Sequence, residues 1–178
     1  MNVPNILTLL RIALIPVFIV FLMTGHSYTA AAVFVVASFT DMLDGQIARK
    51  YNLVTNFGKL MDPLADKLLV VSALVCLTQL GEIPGWMVIV ILAREFTITG
   101  LRSVAASDGV VIAAGFSGKL KTVSQMVAIV CLLLRDWPFS YLGLPVRVDH
   151  ILLWIALALT IYSGAEYIVQ NRRLFSMK

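Results

Sequence analysis

Four aspartates whose spacing could support chemistry lie within a window of 26 residues: Asp41, Asp44, Asp62 and Asp66. Long apolar runs flank this window on both sides. An ionisable side chain inside a membrane-spanning region costs about 2.5–3.5 kcal/mol on insertion scales. Four carboxylates near one membrane face therefore need a compensating partner.

Helical spacing would bring these four carboxylates together. Asp41 and Asp44 are three residues apart, and Asp62 and Asp66 are four apart, so each pair shares one face of a helix. Two such helices, joined by a loop near Tyr51–Asn56, would direct the four side chains at one point. Small residues on the same faces let a second helix or a ligand approach the backbone closely; they are Gly45, Ala48 and Gly58.

Carboxylate oxygens are the ligands that hard cations such as Mg²⁺, Mn²⁺ or Ca²⁺ prefer. Four carboxylates are enough for two metal ions, and paired divalent ions serve in-line displacement at phosphorus. The permanent charge of Arg49 suits a phosphate oxygen. The pattern therefore indicates phosphoryl-type chemistry at a membrane face. Two other interpretations stay open from geometry alone: an ion or proton pathway, and structural salt bridges of the aspartates with Arg49, Lys59 and Lys67.

The composition indicates which elements must position these residues. Hydrophobic residues make up 60% of the 178 residues, and charged residues only 13%. An ordinary soluble domain is about 45–50% apolar and about 25% charged. These values exclude a disordered chain, a nucleic-acid-binding tail protein and a typical cytosolic enzyme, and they predict a polytopic membrane protein. The net charge of +4 comes from basic residues between apolar runs, so we expect no nucleic-acid partner.

Six apolar stretches predict an all-α integral membrane fold of six transmembrane helices in a single domain, residues 1–178. A spanning helix needs about 20 residues, so the shorter stretches must continue into their polar flanks. The second then extends through the DMLDGQIAR run, and the third begins near Phe57. The stretches are Ile6–Met23, Tyr28–Phe39, Leu68–Leu80, Trp86–Ala106, Thr122–Leu134 and Ile151–Val169.

The first stretch has no basic residue before Arg11 and is interrupted by Pro16, so we do not expect a cleaved signal peptide. We expect instead a short interfacial helix near Val3–Arg11 that leads into the first span. With six spans, eleven of the 14 basic residues fall on the side that holds both termini. This bias predicts that both termini are cytoplasmic.

The aspartate window resembles the signature of the CDP-alcohol phosphotransferase family at every position. The pattern is Asp41-x-x-Asp44-Gly45-x-x-Ala48-Arg49, then eight residues, then Gly58-x-x-x-Asp62-x-x-x-Asp66. Three further runs are similar to the branch of the family that makes phosphatidylglycerophosphate. These runs are NILTLLRIALIP, AREFTITGLR and GKLKTVSQM, and with the signature they extend over most of the chain.

The resemblance implies six transmembrane helices with a short N-terminal interfacial helix, a homodimer, and two divalent cations, Mg²⁺ or Mn²⁺. Asp41 and Asp62 would each contact both metals, Asp44 and Asp66 one each, and Asp66 would also be the general base. The reaction would transfer a phosphatidyl group from CDP-diacylglycerol to sn-glycerol 3-phosphate and release CMP, at the cytoplasmic face of a bacterial inner membrane. The residues that would bind CDP-diacylglycerol are Asn5, Thr8, Gly45, Ala48, Arg49, Thr55 and Gly58.

Glycerol 3-phosphate is a dianion, so its pocket should be basic. Arg94 and Arg102 lie about 80° apart around one helix, and Lys119 and Lys121 follow the predicted start of another, where free backbone amides favour phosphate. We take these four residues as candidates for the acceptor phosphate. Glu95 would point away from Arg94 on the helix, so the alternative for Arg94 is an ion pair with an acid on another helix.

Three alternatives remain for the function and for the two lysines. Lys119 and Lys121 could be a pair that only orients the chain in the membrane. The acceptor could be serine, inositol phosphate or phosphatidylglycerol, although serine carries no phosphate and needs no basic cluster. In a different class, the aspartates could form the ion path of a cation transporter, which would need no CDP-diacylglycerol.

Overall fold

The computed structural model describes residues 3–50, 56–107, 109, 115–135, 137 and 147–172, without the side chains of 3–4, 41–50, 56–60 and 63. The described residues form six helices and no strand. In chain order the helices are α1 (Val3–Met23), α2 (Ser27–Lys50), α3 (Asn56–Gln79), α4 (Gly85–Ser107), α5 (Phe116–Leu133) and α6 (Val148–Gln170).

Helix α2 continues through the aspartate run to Lys50, and α3 begins at Asn56, as the length requirement predicted. The expected interfacial helix near Val3–Arg11 is not a separate element, because Val3–Met23 is one continuous helix. Pro4 lies in the first turn, where no intrahelical bond is lost, and no breaker separates it from Arg11. Pro16 is accommodated inside the helix.

Glycines in the left-handed region end two of the helices. Gly25 has φ of 85° and Gly81 has φ of 76°. After α1, the amide of His26 donates to the carbonyl of Phe21 at 2.9 Å, and after α3 the amide of Glu82 donates to the carbonyl of Leu77 at 3.0 Å. These bonds satisfy carbonyl groups that the last helical turn leaves without a partner, and they reverse the chain over a few residues.

The helices pack in two groups that share one core. Helix α1 lies against α2 and α3, and α6 lies against α4 and α5, while α2 and α3 also touch α5. Phe18 and Phe34 join α1 to α2 with ring centroids 5.9 Å apart, and Leu74, Ile91 and Ile129 continue the buried core. Because successive helices run in opposite directions, the polar C-terminal part of α2, the polar N-terminal part of α3 and the start of α5 lie near the same end of the bundle.

Within the described residues, three helices are long and apolar enough to cross a membrane by length and composition: Asn5–Met23, Phe116–Leu133 and Val148–Gln170. Helix α2 contributes a shorter apolar part, Ser27–Thr40. Large apolar side chains such as Ile89, Phe96 and Val169 are mostly exposed on the outer surface, where lipid would cover them. These observations support a membrane protein, and the six spans and the side of the termini stay predictions.

Candidate active site

One face of α1 carries three buried polar residues at intervals of three: Asn5, Thr8 and Arg11. Their exposed fractions are 9%, 0% and 0%. Thr8 Oγ1 donates a hydrogen bond to Asp62 Oδ1 on α3 at 2.5 Å. The N-terminal helix therefore holds one of the four signature aspartates directly, a contact that the sequence did not indicate.

Asp62 and Asp66 lie one turn apart on α3, and both are half-buried. The backbones of Asp41 and Asp44 are helical, as predicted, but their side chains lie outside the described part of the chain. Among the described residues no three His, Cys, Asp or Glu side chains cluster. The convergence of all four aspartates therefore stays a prediction.

The donor contacts predicted by resemblance fall largely outside the described side chains. Thr55 lies outside the described residues altogether. Asn5 and Thr8 are described and buried. For four further residues only the helical backbone is described; they are Gly45, Ala48, Arg49 and Gly58.

Four basic residues line a cleft of about 380 Å³ between α3, α4 and α5: Lys67, Arg94, Arg102 and Lys119. Three of them were predicted as acceptor ligands. Arg94 and Arg102 are eight residues apart, little more than two helical turns, so both long side chains reach the same cleft. A cluster of cations in a partly enclosed cleft favours a dianion such as a phosphate monoester.

Lys67 also lines this cleft, although the sequence analysis considered it only as a possible salt-bridge partner of the aspartates. Its Nζ donates to Thr99 Oγ1 on α4. The missed signal was its position directly after Asp66. Because neighbours on a helix are separated by about 100°, Asp66 and Lys67 can line adjoining cavities.

Asp66 lines a smaller cavity of about 60 Å³ that adjoins this cleft. The two cavities have Lys67, Glu95 and Thr122 in common. Deeper in the bundle the walls of the smaller cavity become apolar, with Leu74 and Ile91. The basic cleft thus opens next to a signature carboxylate.

Glu95 binds two of the candidate cations, which corrects the prediction that it points away from Arg94. Arg94 Nη1 lies 2.9 Å from Glu95 Oε1, and Lys121 Nζ contacts the same oxygen. A helical wheel predicts only the direction in which a side chain leaves the helix. The Arg94 side chain is long enough to fold back, so its guanidinium group reaches Glu95. Among the described contacts, the acid that pairs with Arg94 is its neighbour on α4, and an ion pair with an acid on another helix stays untested.

Lys121 differs from the other three predicted acceptor residues. It is 2% exposed, is paired with Glu95, and lines the cavity of Asp66 and not the basic cleft. Lys119, two residues earlier, is exposed and lines the cleft. The two lysines therefore line different cavities, and their roles toward the acceptor phosphate stay predictions.

Helix α5 begins at Phe116, so Lys119 and Lys121 follow its start as predicted. Its N-cap residue, Gly115, makes no side-chain hydrogen bond to the first turn. Gly115 therefore leaves the amide groups of that turn available for an anion within the described part of the chain. Arg94 reaches this turn from α4, where its Nη2 lies 3.8 Å from the position that a Cβ on Gly118 would take.

The back of the cleft is fixed by contacts between α4 and α6. Arg94 Nη2 donates to Ser163 Oγ at 3.0 Å. The guanidinium of Arg102 lies over the ring of Tyr167, 5.4 Å from its centroid, a favourable cation–π distance. Both arginines are therefore held from behind by α6, which the sequence did not reveal.

The described acidic residues fit divalent metal ions by the chemistry of their donor atoms. Asp62 and Asp66 offer carboxylate oxygens one helical turn apart, and Asp62 already has the supporting hydrogen bond from Thr8 that metal-binding carboxylates commonly have. Oxygen donors of this kind match Mg²⁺ and Mn²⁺.

Comparison with known proteins gives consistent matches over almost the whole chain. The profile of the CDP-alcohol phosphatidyltransferase family matches residues 1–162. A Bacillus subtilis protein named CDP-diacylglycerol–glycerol-3-phosphate 3-phosphatidyltransferase is 46% identical, over 96% of this chain and 95% of its own length. A Rickettsia typhi protein of the same name is 44% identical, over 93% and 94%. A probable phosphatidylglycerophosphate synthase of Mycobacterium tuberculosis is 40% identical, over 97% and 82%.

Proposed function

The chain belongs to the CDP-alcohol phosphatidyltransferase family, and we propose that it transfers a phosphatidyl group from CDP-diacylglycerol to sn-glycerol 3-phosphate, giving phosphatidylglycerophosphate and CMP. One structural observation supports this reaction independently of the names of the relatives. The cavity lined by Asp66 adjoins a cleft lined by four cations, with Lys67 in common. A phosphorylated alcohol can place its phosphate in the cleft while its hydroxyl faces Asp66.

The charge of the cleft supports a phosphorylated acceptor over serine. Lys67, Arg94, Arg102 and Lys119 line it, and of these Arg94 is neutralised in part by Glu95. A serine acceptor carries no phosphate, and its single carboxylate would offer the other three cations less negative charge than a phosphate dianion. Inositol phosphate carries the same phosphate as glycerol 3-phosphate, so the names of the relatives favour the latter.

The reaction assigns distinct tasks to the residues of the chain. The acceptor hydroxyl oxygen bonds to the phosphorus of the phosphatidyl group, the bond from that phosphorus to CMP breaks, and the hydroxyl proton passes to Asp66. An aspartate has an ordinary pKa near 3.9, so it is a modest base. The basic cleft contributes by holding the acceptor phosphate so that the hydroxyl stays within reach of Asp66.

The residues proposed to hold two divalent cations, Mg²⁺ or Mn²⁺, are Asp41, Asp44, Asp62 and Asp66. When bound, such ions neutralise phosphate oxygens and lower the pKa of a coordinated hydroxyl. Thr8 orients Asp62 through its hydrogen bond. The cytidine diphosphate group is proposed to lie against the segment that carries the small residues; its contacts are Asn5, Thr8, Gly45, Ala48, Arg49, Thr55 and Gly58.

The location we propose is the cytoplasmic face of a bacterial inner membrane, with the chain as a homodimer. A site at the membrane face gives the acyl chains of the donor access from the bilayer while the nucleotide and the acceptor come from water. The distribution of Lys and Arg in the sequence supports this orientation.

The experiment that tests the proposal measures CMP release by the purified full chain in detergent with CDP-diacylglycerol and Mg²⁺ or Mn²⁺. Glycerol 3-phosphate, inositol phosphate and serine are offered separately. We expect release with glycerol 3-phosphate only, and its loss in Asp66→Asn. Release with another alcohol alone would reject the acceptor, and no release with any alcohol from folded protein would reject the enzyme function.

A further inference from the structure

The acidic side chain of Glu95 lies in the wall between the basic cleft and the cavity of Asp66. It lines both cavities, together with Lys67 and Thr122, and it is 23% exposed. A carboxylate at this place repels the phosphate of an acceptor, so a cleft that only attracted anions would bind them better without it. The contacts of Glu95 indicate what offsets this repulsion.

Oxygen Oε1 of Glu95 binds two cations that line different cavities. Arg94 Nη1 donates to it at 2.9 Å, and Arg94 lines the basic cleft. Lys121 Nζ on α5 donates to the same oxygen, and Lys121 lines the cavity of Asp66. Lys121 is 2% exposed, so water does not readily replace this contact. Glu95 therefore ties the guanidinium group of Arg94 to a buried point on a neighbouring helix.

The guanidinium group of Arg94 is held at two of its nitrogen atoms. Nη1 donates to Glu95, and Nη2 donates to Ser163 Oγ on α6 at 3.0 Å. Each of these nitrogen atoms carries two N–H groups, so one N–H on each is left for a further acceptor in the described part of the chain. Two N–H groups in one fixed plane are the arrangement that binds phosphate oxygens in pairs.

The contact with Glu95 sets the direction of the Arg94 side chain. Residues next to each other leave a helix about 100° apart, so Arg94 reaches Glu95 only by folding back along α4. A long side chain that is free to move loses rotamer freedom when it binds a ligand. The ion pair with Glu95 removes that freedom before the acceptor arrives, and this gain opposes the repulsion between the carboxylate and the phosphate.

We propose that Glu95 is a positioning residue of the acceptor site, which holds the guanidinium group of Arg94 toward the acceptor phosphate and anchors it to Lys121. The inference rests on the proposed function, because it takes the acceptor phosphate as the ligand of Arg94. In this role Glu95 acts through Arg94 and not on the acceptor. Its loss therefore weakens acceptor binding and leaves the chemical step at Asp66 intact.

The first test removes Glu95 without changing the net charge beside the cleft. Arg94, Glu95 and Lys121 are two cations and one carboxylate, a net of one positive charge, and Arg94 alone carries the same charge in the double variant Glu95→Gln with Lys121→Gln. We expect this variant to raise KM for glycerol 3-phosphate about two- to tenfold, the effect of leaving one long side chain unordered. The value of kcat should change little.

Lys121→Gln alone is the control for the double variant. It leaves Glu95 in contact with Arg94, so KM for glycerol 3-phosphate should stay at the value of the original chain. An unchanged KM in the double variant would mean that Glu95 serves only as the buried partner of Lys121. An equal rise in the single and the double variant would assign the effect to Lys121. Either result would overturn the proposal.

The second test keeps the charge of Glu95 and shortens its side chain. Glu95→Asp withdraws the carboxylate by one methylene group, so it should no longer reach Arg94 and Lys121 together, and KM should again rise about two- to tenfold. Glu82→Asp is the matched control, because Glu82 is 25% exposed, pairs with Arg147 and lies in the turn before α4. Equal effects of the two variants on KM, or a loss of stability in Glu95→Asp without a change in KM, would contradict the positioning role.

Binding of labelled glycerol 3-phosphate to the full chain in detergent, without CDP-diacylglycerol, separates failure of this inference from failure of the proposed function. CMP release with unchanged KM and unchanged binding in both tests would reject the role of Glu95 alone. Weaker binding in the Glu95 variants, without CMP release from any acceptor, would reject the enzyme function and leave the role of Glu95 standing. Absence of both release and binding in the original chain would reject the two together.

Discussion

Thr8 on α1 and Asp62 on α3 are 54 positions apart in the chain, yet the hydroxyl of Thr8 donates to the Asp62 carboxylate at 2.5 Å. Thr8 is fully buried, so water cannot replace it. A hydroxyl that donates to one carboxylate oxygen fixes the rotation of the whole group and leaves the second oxygen for other ligands. The N-terminal helix is therefore part of the site, although it precedes the family signature.

Replacing Thr8 with Val keeps the shape of the side chain and removes this hydrogen bond. We expect the apparent affinity for Mg²⁺ to fall about tenfold or more, as is typical when a supporting hydrogen bond to a metal ligand is lost. The measurement is the Mg²⁺ dependence of CMP release. Thr8→Ser keeps the hydroxyl and should retain most of the affinity. Equal Mg²⁺ dependence in the two variants would contradict the role given to Thr8.

A methyl group on Gly164 of α6 should displace Arg94. Its Cβ would lie 3.0 Å from Arg94 Cγ, closer than carbon atoms normally pack. We expect Gly164→Ala to raise KM for glycerol 3-phosphate about three- to tenfold with little change in kcat, because the contact moves an acceptor ligand and not Asp66. Kinetics at varied acceptor concentration measure both values.

The matched control for this variant is Gly100→Ala on α4. A Cβ at Gly100 meets no atom within 4 Å, and alanine favours a helix by about 0.5–1 kcal/mol over glycine. Its KM should equal that of the original chain and its stability should not fall. If Gly164→Ala behaves in the same way as Gly100→Ala, the position of Arg94 does not limit acceptor binding.

The helices were largely predictable because membrane thickness and hydrophobicity set their length. The need for about 20 residues per span correctly extended α2 to Lys50 and α3 back to the region of Phe57. The interfacial helix near Val3–Arg11 is not a separate element, because Val3–Met23 forms one continuous helix. Arg11 is buried against its neighbours, so tertiary packing, which the sequence does not display, keeps that segment in line with the rest of α1.

The side-chain contacts of the site were less predictable. Sequence spacing gives the direction in which a side chain leaves the helix, but Arg and Lys side chains reach far beyond that point. Arg94 bends to Glu95, and Lys121 turns inward to the same carboxylate. The spacing was therefore enough to place Arg94 and Arg102 in one cleft, and not enough to separate Lys119 from Lys121.

The two lysines of α5 should respond differently to substitution by Gln. Lys119 is exposed at the cleft, so Lys119→Gln should raise KM for glycerol 3-phosphate about tenfold, the loss of about 1.4 kcal/mol of attraction, and leave stability unchanged. Lys121→Gln removes a buried partner of Glu95 and should lower the free energy of unfolding by about 1–3 kcal/mol. Acceptor kinetics and thermal unfolding in detergent measure the two effects. A change in KM without a loss of stability in Lys121→Gln would restore Lys121 as a phosphate ligand.

The far end of α6 is held by an ion-pair network that should affect stability alone. Asp149 is fully buried and accepts hydrogen bonds from Arg147 Nη2 at 2.6 Å and from the amide of His150 at 2.8 Å. Arg147 also donates to Glu82 after α3 at 3.0 Å, and its hydrogen bond to Asp149 raises the pKa of the guanidinium. The network thus joins the α3–α4 turn to the start of α6.

Asp149→Asn weakens this network by removing the buried charge that Arg147 faces. We expect the free energy of unfolding to fall by about 1–3 kcal/mol, measured by thermal or denaturant unfolding in detergent. KM for glycerol 3-phosphate should not change, because Asp149 is about 27 Å along the helix from Tyr167, at 1.5 Å per residue. Glu82→Gln removes only the more exposed ion pair and should cost less than 1 kcal/mol. A larger loss in Glu82→Gln, or an altered KM in Asp149→Asn, would show that the network does more than hold the turn to the helix.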